Sequence, residues 1–148
     1  MIKSRLRIHL AVTIALLIVF SSCTTYYISL DSFRQQFAGM DSSNLKKVTT
    51  RGPGGDRVKY ETFPIDIIKC VDSKGNSAEL RNSPSIEIRF TDVNNKRTIF
   101  YFDLISVNDT TVRGIQSRFF PSIRKTIPLN TISKIEVQDG KKNFHYVD

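Results

Sequence analysis

The chain has 148 residues, 40% of them hydrophobic, with 22 Lys and Arg against 14 Asp and Glu for a formal net charge of +8. That length suits one domain with its own apolar core. Two Cys and two His are too few for a disulfide-stapled scaffold or a metal centre built on those residues.

The basic balance is partly an N-terminal feature. Lys3, Arg5 and Arg7 precede a hydrophobic run at residues 10–20, interrupted only by Thr13, and Ser21, Ser22 and Cys23 close it. A basic region, an apolar region and small residues at the end have the layout of a secretory signal peptide over residues 1–22. The run is shorter than the roughly 20 apolar residues that a membrane-spanning helix needs. Taking Lys3, Arg5 and Arg7 from the 22 cations leaves 19 against 14 acids, a net of +5. Such a surface suits anionic lipid headgroups, an acidic polysaccharide or an acidic protein partner. Export argues against nucleic acid.

Phe20-Ser21-Ser22-Cys23 resembles the lipobox of bacterial lipoproteins. The resemblance implies that the Cys23 thiol receives diacylglyceryl, that the bond before it is cleaved, and that the new amino group is acylated with a fatty acid such as palmitate. Several acyl chains, at about 0.8 kcal/mol per buried methylene, suffice for stable anchoring. Thr24 stands where an Asp in that family marks inner-membrane retention. The expected location is therefore the cell envelope, on the outer membrane facing the periplasm.

Lipidation of Cys23 leaves Cys70 as the single thiol, so no intramolecular disulfide is expected. Cys70 lies in a strand-like run and reads as a small buried hydrophobe before it reads as a reactive thiol.

Residues 24–28 are too few and too aromatic for a flexible tether, so the folded part should begin close to the membrane. Residues 29–39 read as a short helix: Leu30, Phe33 and Phe37 share a face, Ser29 or Asp31 caps the start, and Gly39 ends it. A helix this short must lay its Phe rings against something to persist. Residues 40–57, with Arg51-Gly52-Pro53-Gly54-Gly55-Asp56, read as a mobile surface loop. The expected organisation is thus a signal peptide at 1–22, a lipid-anchored segment with helix and loop at 23–57, and a β-domain at 58–148.

From residue 58 short strand-like runs alternate with turn signals. Strands are expected around Tyr60 and over 65–71, 86–91, 98–107, 111–117, 125–127, 133–138 and 143–147. Asp139-Gly140 is the strongest hairpin signal. Alternation puts Ile86, Ile88 and Phe90 on one face and Glu87 and Arg89 on the other; Ile135 and Val137 oppose Lys134 and Glu136, so these strands should have one wet face. The run 98–107 is apolar on both sides, and the helix with Phe33 and Phe37 is its expected cover.

The stretch from Leu104-Ile105-Ser106-Val107-Asn108-Asp109 through Gly114, then from Ile127-Pro128 to Val137, resembles a small SH3-like or Sm-like barrel with its bend at Gly114. The fold class is mainly β: a small antiparallel SH3-like barrel, or an open sheet or sandwich, with one short N-terminal helix packed on it.

No nucleophile or cofactor motif is present, so no catalytic residue, metal ligand or cofactor is assigned. His145 is the one imidazole after residue 22 and reads as structural or surface. Asp66, Asp103 and Glu136 are the carboxylates from which a periplasmic enzyme would have to be built. Asp103, between Phe102 and Leu104, reads as a buried anchor or as an edge residue. Asp109-Thr110-Thr111 reads first as a plain turn, and it also resembles a short acceptor motif for O-linked glycans.

The segment 118–125 contains Arg118, Phe119, Phe120, Ile123, Arg124 and Lys125, with more length and aromatic content than closure requires. Either its Phe rings complete the core with the cations outside, or it forms a partner surface of apolar tips rimmed by cations. The functional expectation is a membrane-anchored extracytoplasmic binding or assembly module that is not an enzyme, its partner a protein or an anionic glycan. A cell-wall or polysaccharide-binding module is the nearest alternative.

Overall fold

The structure, a computed structural model, describes residues 24–147. The expected signal peptide at 1–22 and the expected lipidation site Cys23 lie outside the described residues. Twelve strands and one α-helix are arranged in three antiparallel sheets.

The largest sheet has six strands. They are β1 (Thr25–Ile28), β4 (Ile67–Val71), β5 (Ser77–Arg81), β6 (Ile86–Asp92), β7 (Arg97–Tyr101) and β11 (Ile132–Asp139), in the order β5-β4-β1-β11-β6-β7. A second sheet has the order β10-β9-β8, from β8 (Ile105–Val107), β9 (Thr111–Ile115) and β10 (Arg124–Pro128). The third has the order β12-β2-β3, from β2 (Lys46–Arg51), β3 (Arg57–Thr62) and β12 (His145–Val147). All three are open, and no barrel closes among the described residues.

Helix α1 (Leu30–Phe37) forms as its pattern requires. Ser29 Oγ accepts from Ser32 N at 3.1 Å, and Gly39 leaves the helix at φ 74°. Phe33 and Phe37 are buried with ring centroids 5.0 Å apart; Phe33 meets Phe90 at 5.5 Å edge-on, and Phe37 meets Phe63 at 5.7 Å and Phe102 at 5.9 Å. The Gln36 amide also acts as a piece of strand: its Oε1 accepts from Lys69 N at 2.9 Å and its Nε2 donates to Lys69 O at 3.1 Å. Those bonds occupy β4 backbone where β1 has already turned away, since β1 meets β4 at Tyr27 and Val71.

The core fills the space between the six-stranded sheet and its two covers, α1 and the β8–β10 sheet. Ile86, Ile88, Phe90, Ile135 and Val137 face it, as alternation requires. Gly114 is needed for a close approach, because a Cβ there would overlap the ring of Phe100. That requirement, rather than a barrel bend, accounts for this glycine.

Four expectations change. The run 98–107 is not one strand: β7 stops at Tyr101, residues Phe102–Leu104 form a 3-10 turn, and β8 enters a different sheet. Asp103 lies at the break, buried and held by the bonds described below. The segment 40–57 is not a loop throughout, because β2 pairs along β3 from Lys46↔Thr62 to Arg51↔Arg57, leaving Gly52-Pro53-Gly54-Gly55-Asp56 as a tight hairpin connection. Its polar Lys-Lys-Val-Thr-Thr-Arg sequence lacks the apolar alternation of a core strand. The β-structure also begins before residue 58, since β1 sits inside the large sheet between β4 and β11. Finally, the outer face of β6 and β11 is not uniformly wet: Glu136 is buried between Arg89, at 3.8 Å, and Lys134, at 3.3 Å.

Candidate functional site

The third sheet is held to the other two through one buried charge. Asp103, on the turn after β7, is fully enclosed, and its two oxygens are taken by three partners. Oδ1 receives the guanidinium of Arg118, from the loop after β9; Oδ2 accepts from Tyr60 Oη and, at 3.0 Å, from Tyr146 Oη. Alternation along β2, β3 and β12 turns Thr50, Tyr60 and Tyr146 to one face. Tyr146 pairs with Thr50 in register, and Thr50 Oγ1 lies 2.8 Å from Tyr60 Oη.

Arg118 is saturated. Its Nε and Nη2 donate to Pro84 O at 3.0 and 2.7 Å, and Nη1 reaches Tyr60 Oη at 3.3 Å. The guanidinium carbon lies 4.3 Å from the centroid of Tyr101 and 5.3 Å from that of Phe144, within cation–π range. Lys142 covers Tyr101 from outside, donating to its Oη at 2.9 Å and to Glu87 at 2.5 Å.

Burial and the Asp103 charge both oppose phenolate formation. Tyr60 is pushed up to about 12 by burial first and Asp103 second, against the pull of Arg118. Tyr146 is raised by the same two influences and by Tyr60. Both therefore act as neutral hydroxyl donors. The cluster can lock sheets together, and its polar atoms have little capacity left for a ligand.

Beside this lock opens a cleft of about 240 Å³ between the β2–β3 hairpin and the loop from 116 to 123. Val58, Leu104, Ile115, Phe119 and Phe144 supply its apolar lining, and Asp56, Lys59 and Arg124 line it beside Arg118. The loop is internally braced: Gln116 N donates to Ile123 O and Ile123 N to Phe120 O, both at 3.0 Å, and Arg124 Nε donates to Pro121 O at 3.0 Å.

The segment 118–125 therefore divides. Phe119, Phe120 and Ile123 are 66%, 63% and 47% exposed, so the rings do not complete the core. Phe119 keeps one contact, with Phe144 at 5.9 Å. Arg124 is exposed. Arg118 is not a rim cation, because Asp103 draws it inside, and Lys125 is tied by a 2.6 Å bond from Nζ to Thr98 Oγ1. Tyr60, Tyr146, Val58 and Leu104 are site residues that sequence reasoning missed. The lone acid among the apolar residues of 98–107 was the signal that pointed to the lock.

The other carboxylates are dispersed. Asp66 bonds Lys46 at 2.7 Å, which holds its carboxyl below the usual range, while Glu136 lies with Arg89 and Lys134. Among the described residues, no three His, Cys, Asp or Glu side chains gather as metal ligands, and no helix is long and apolar enough to cross a membrane. His145 is exposed, with a ring nitrogen 2.7 Å from Asn143 Oδ1. Cys70 is buried, which pushes its thiol up, as does Glu79. Asp109-Thr110-Thr111 forms the β8–β9 turn, where Asn108 Oδ1 accepts from Thr110 N at 3.0 Å and Thr111 N at 2.8 Å. Comparison with protein-family models, curated proteins and solved structures finds no match for this chain.

Proposed function

We propose that the protein is a lipid-anchored extracytoplasmic binding or assembly module and not an enzyme, held in the cell envelope through Cys23 and taking its partner at the cleft beside the Arg118–Asp103 lock. One observation carries the binding part of this reading: an apolar cleft with exposed aromatic residues on a braced loop and with Lys59 and Arg124 among its lining residues. Buried aromatic anchors within a polar rim are the usual core of a protein contact. The partner in this reading is a protein that offers an apolar side chain to the cleft and an acidic group to Arg124 or Lys59. An anionic glycan is the second reading, favoured by the exposed Phe119 and Phe120 rings on the loop that leads to the exposed Arg124.

Two experiments test the parts separately. Cys23→Ser should abolish incorporation of labelled fatty acid, because a hydroxyl cannot replace the thiolate nucleophile at neutral pH; persistent label overturns the anchor. A photo-crosslinking residue at Val58, in the full chain in its native envelope, should yield one discrete adduct that disappears when Ser117→Trp fills the cleft. An adduct indifferent to that substitution removes the cleft as the site.

A further inference from the structure

The strand registers place the exposed loop and the start of the described chain at the same end of the molecule. Thr25 pairs with Gln138 at the close of β11, and Asp139 pairs with Ile86 at the opening of β6. Glu87 in turn pairs with Tyr101 at the close of β7. The β11 end is tied to residues before β6 by Gly140 N donating to Ser85 O at 2.9 Å, and Arg118 holds Pro84 O next door. Phe119 packs on Phe144, which lies 6.3 Å from Tyr101. The loop that bears the exposed Phe119, Phe120 and Ile123 thus lies at the end of the large sheet at which β1 begins. Val93, 66% exposed, marks the opposite end, at the β6–β7 turn.

Covalent geometry turns this into a membrane argument. One residue, Thr24, separates Cys23 from Thr25, and two steps of an extended chain span at most about 7 Å, so the backbone that bears the lipid lies within that distance of the sheet's end. An anchor that short brings this end of the domain against the headgroups. Lys74, Lys141 and Arg124 are exposed at the same end. Two of the acids there are engaged locally: Asp72 Oδ1 accepts from Lys74 N at 2.8 Å and Asn76 N at 2.9 Å, and Asp139 accepts from Ser85 Oγ and from Lys141 N at 2.8 Å; Asp56 is exposed at the cleft beside the loop.

We propose that the tip Phe119-Phe120-Ile123 enters the interfacial layer of the membrane that carries the anchor, as a second contact that fixes the domain's orientation. Apolar side chains settle at the boundary between headgroups and acyl chains while flanking cations remain among anionic headgroups. The bracing of the loop favours this, since little conformational freedom is left to lose on insertion. This inference rests on lipidation of Cys23 and adds the lipid surface as a partner of the loop, with the cleft opening beside it.

The chain contains no Trp, so single substitutions report on position. Phe120→Trp, Ile123→Trp and Val93→Trp are introduced into the full chain, purified with its lipid and reconstituted into vesicles of phosphatidylethanolamine and phosphatidylglycerol. The expected result is blue-shifted emission and quenching by brominated acyl chains at positions 120 and 123, and water-like emission quenched only by acrylamide at 93. A chain that carries the fatty-acid label and floats with the vesicles, yet stays water-exposed at 120 and 123, overturns the inference and leaves the loop to a protein partner. Shielding that grows with protein concentration without vesicles assigns the loop to self-association and overturns it too, as does equal lipid quenching at 93. A chain without label that does not float overturns instead the anchor reading beneath it.

Discussion

Arg118 and Asp103 form an ion pair whose side chains are 7% and 0% exposed, with Tyr60 and Tyr146 completing the shell of the carboxylate. Removing one partner of a buried pair leaves the other charged and unsolvated, at a cost of about 3–5 kcal/mol. Asp103→Leu and Arg118→Met should each destabilise the domain on that scale, while the double variant should lose much less than the sum. Urea denaturation of the four proteins measures the coupling. Additive losses would show that the pair is not the unit that joins the sheets.

The phenols of the same cluster give the fold an alkaline limit. Tyr60 titrates near 10 when unfolded and is pushed up to about 12 in the fold, so the folded state retains a proton that the unfolded chain releases. The stability it contributes is complete below pH 10, in the range of the unfolded group, and is lost as pH rises through its folded value of about 12. Tyr60→Phe should therefore be costly at pH 8 and progressively less so from pH 10 upward. A stability difference between wild type and Tyr60→Phe that stays level across that window contradicts the assignment.

Gly114 tests the packing of the β8–β10 sheet on the large sheet. An added methyl would meet the ring of Phe100, which is buried and cannot swing out. Overpacking of this kind costs about 1–3 kcal/mol, and Gly114→Ala should lower the melting temperature accordingly. Phe100→Leu in the same chain makes room and should recover part of the loss. If Ala at 114 is neutral, the two sheets are not in the close contact described.

Much of this fold was readable because the chemistry is local. Ser29, Phe33, Phe37 and Gly39 carry their own helix signal, and Ile86-Glu87-Ile88-Arg89-Phe90 carries its own alternation. β2 was missed because its strand character depends on pairing with β3 and β12, and nothing in Lys46-Lys47-Val48-Thr49-Thr50-Arg51 advertises a buried face. The continuous apolar run 98–107 concealed a change of sheet, since a residue's periodicity does not say which sheet its neighbour joins. Asp103 was the one visible irregularity there. Arg118 looked like a surface cation because its counter-charge lies 15 positions away and the two tyrosines that complete the site lie farther still. At Phe119 and Phe120 the sequence favoured the core reading over the surface one, and their exposure reverses that order.

The loop separates binding from folding, which makes it testable in a single pair of variants. Phe119 and Phe120 are largely exposed, and surface substitutions usually stay within about 0.5 kcal/mol. Phe119→Ser with Phe120→Ser should therefore leave the melting curve close to wild type, with a small loss where Phe119 meets Phe144. Phe144→Ser, one ring deeper, removes a buried side chain of a kind whose truncation costs about 3–5 kcal/mol. The crosslinked adduct at Val58 should be lost in the double Phe variant although its fold is kept. The informative cation variant is Lys59→Ser with Arg124→Ser, because Arg118 and Lys125 are committed to Asp103 and Thr98. It should weaken capture most at low salt, since exposed charges are screened over about 8 Å at physiological ionic strength. Capture that survives in both the aromatic and the cation variants would sink the loop and its cleft as the partner site.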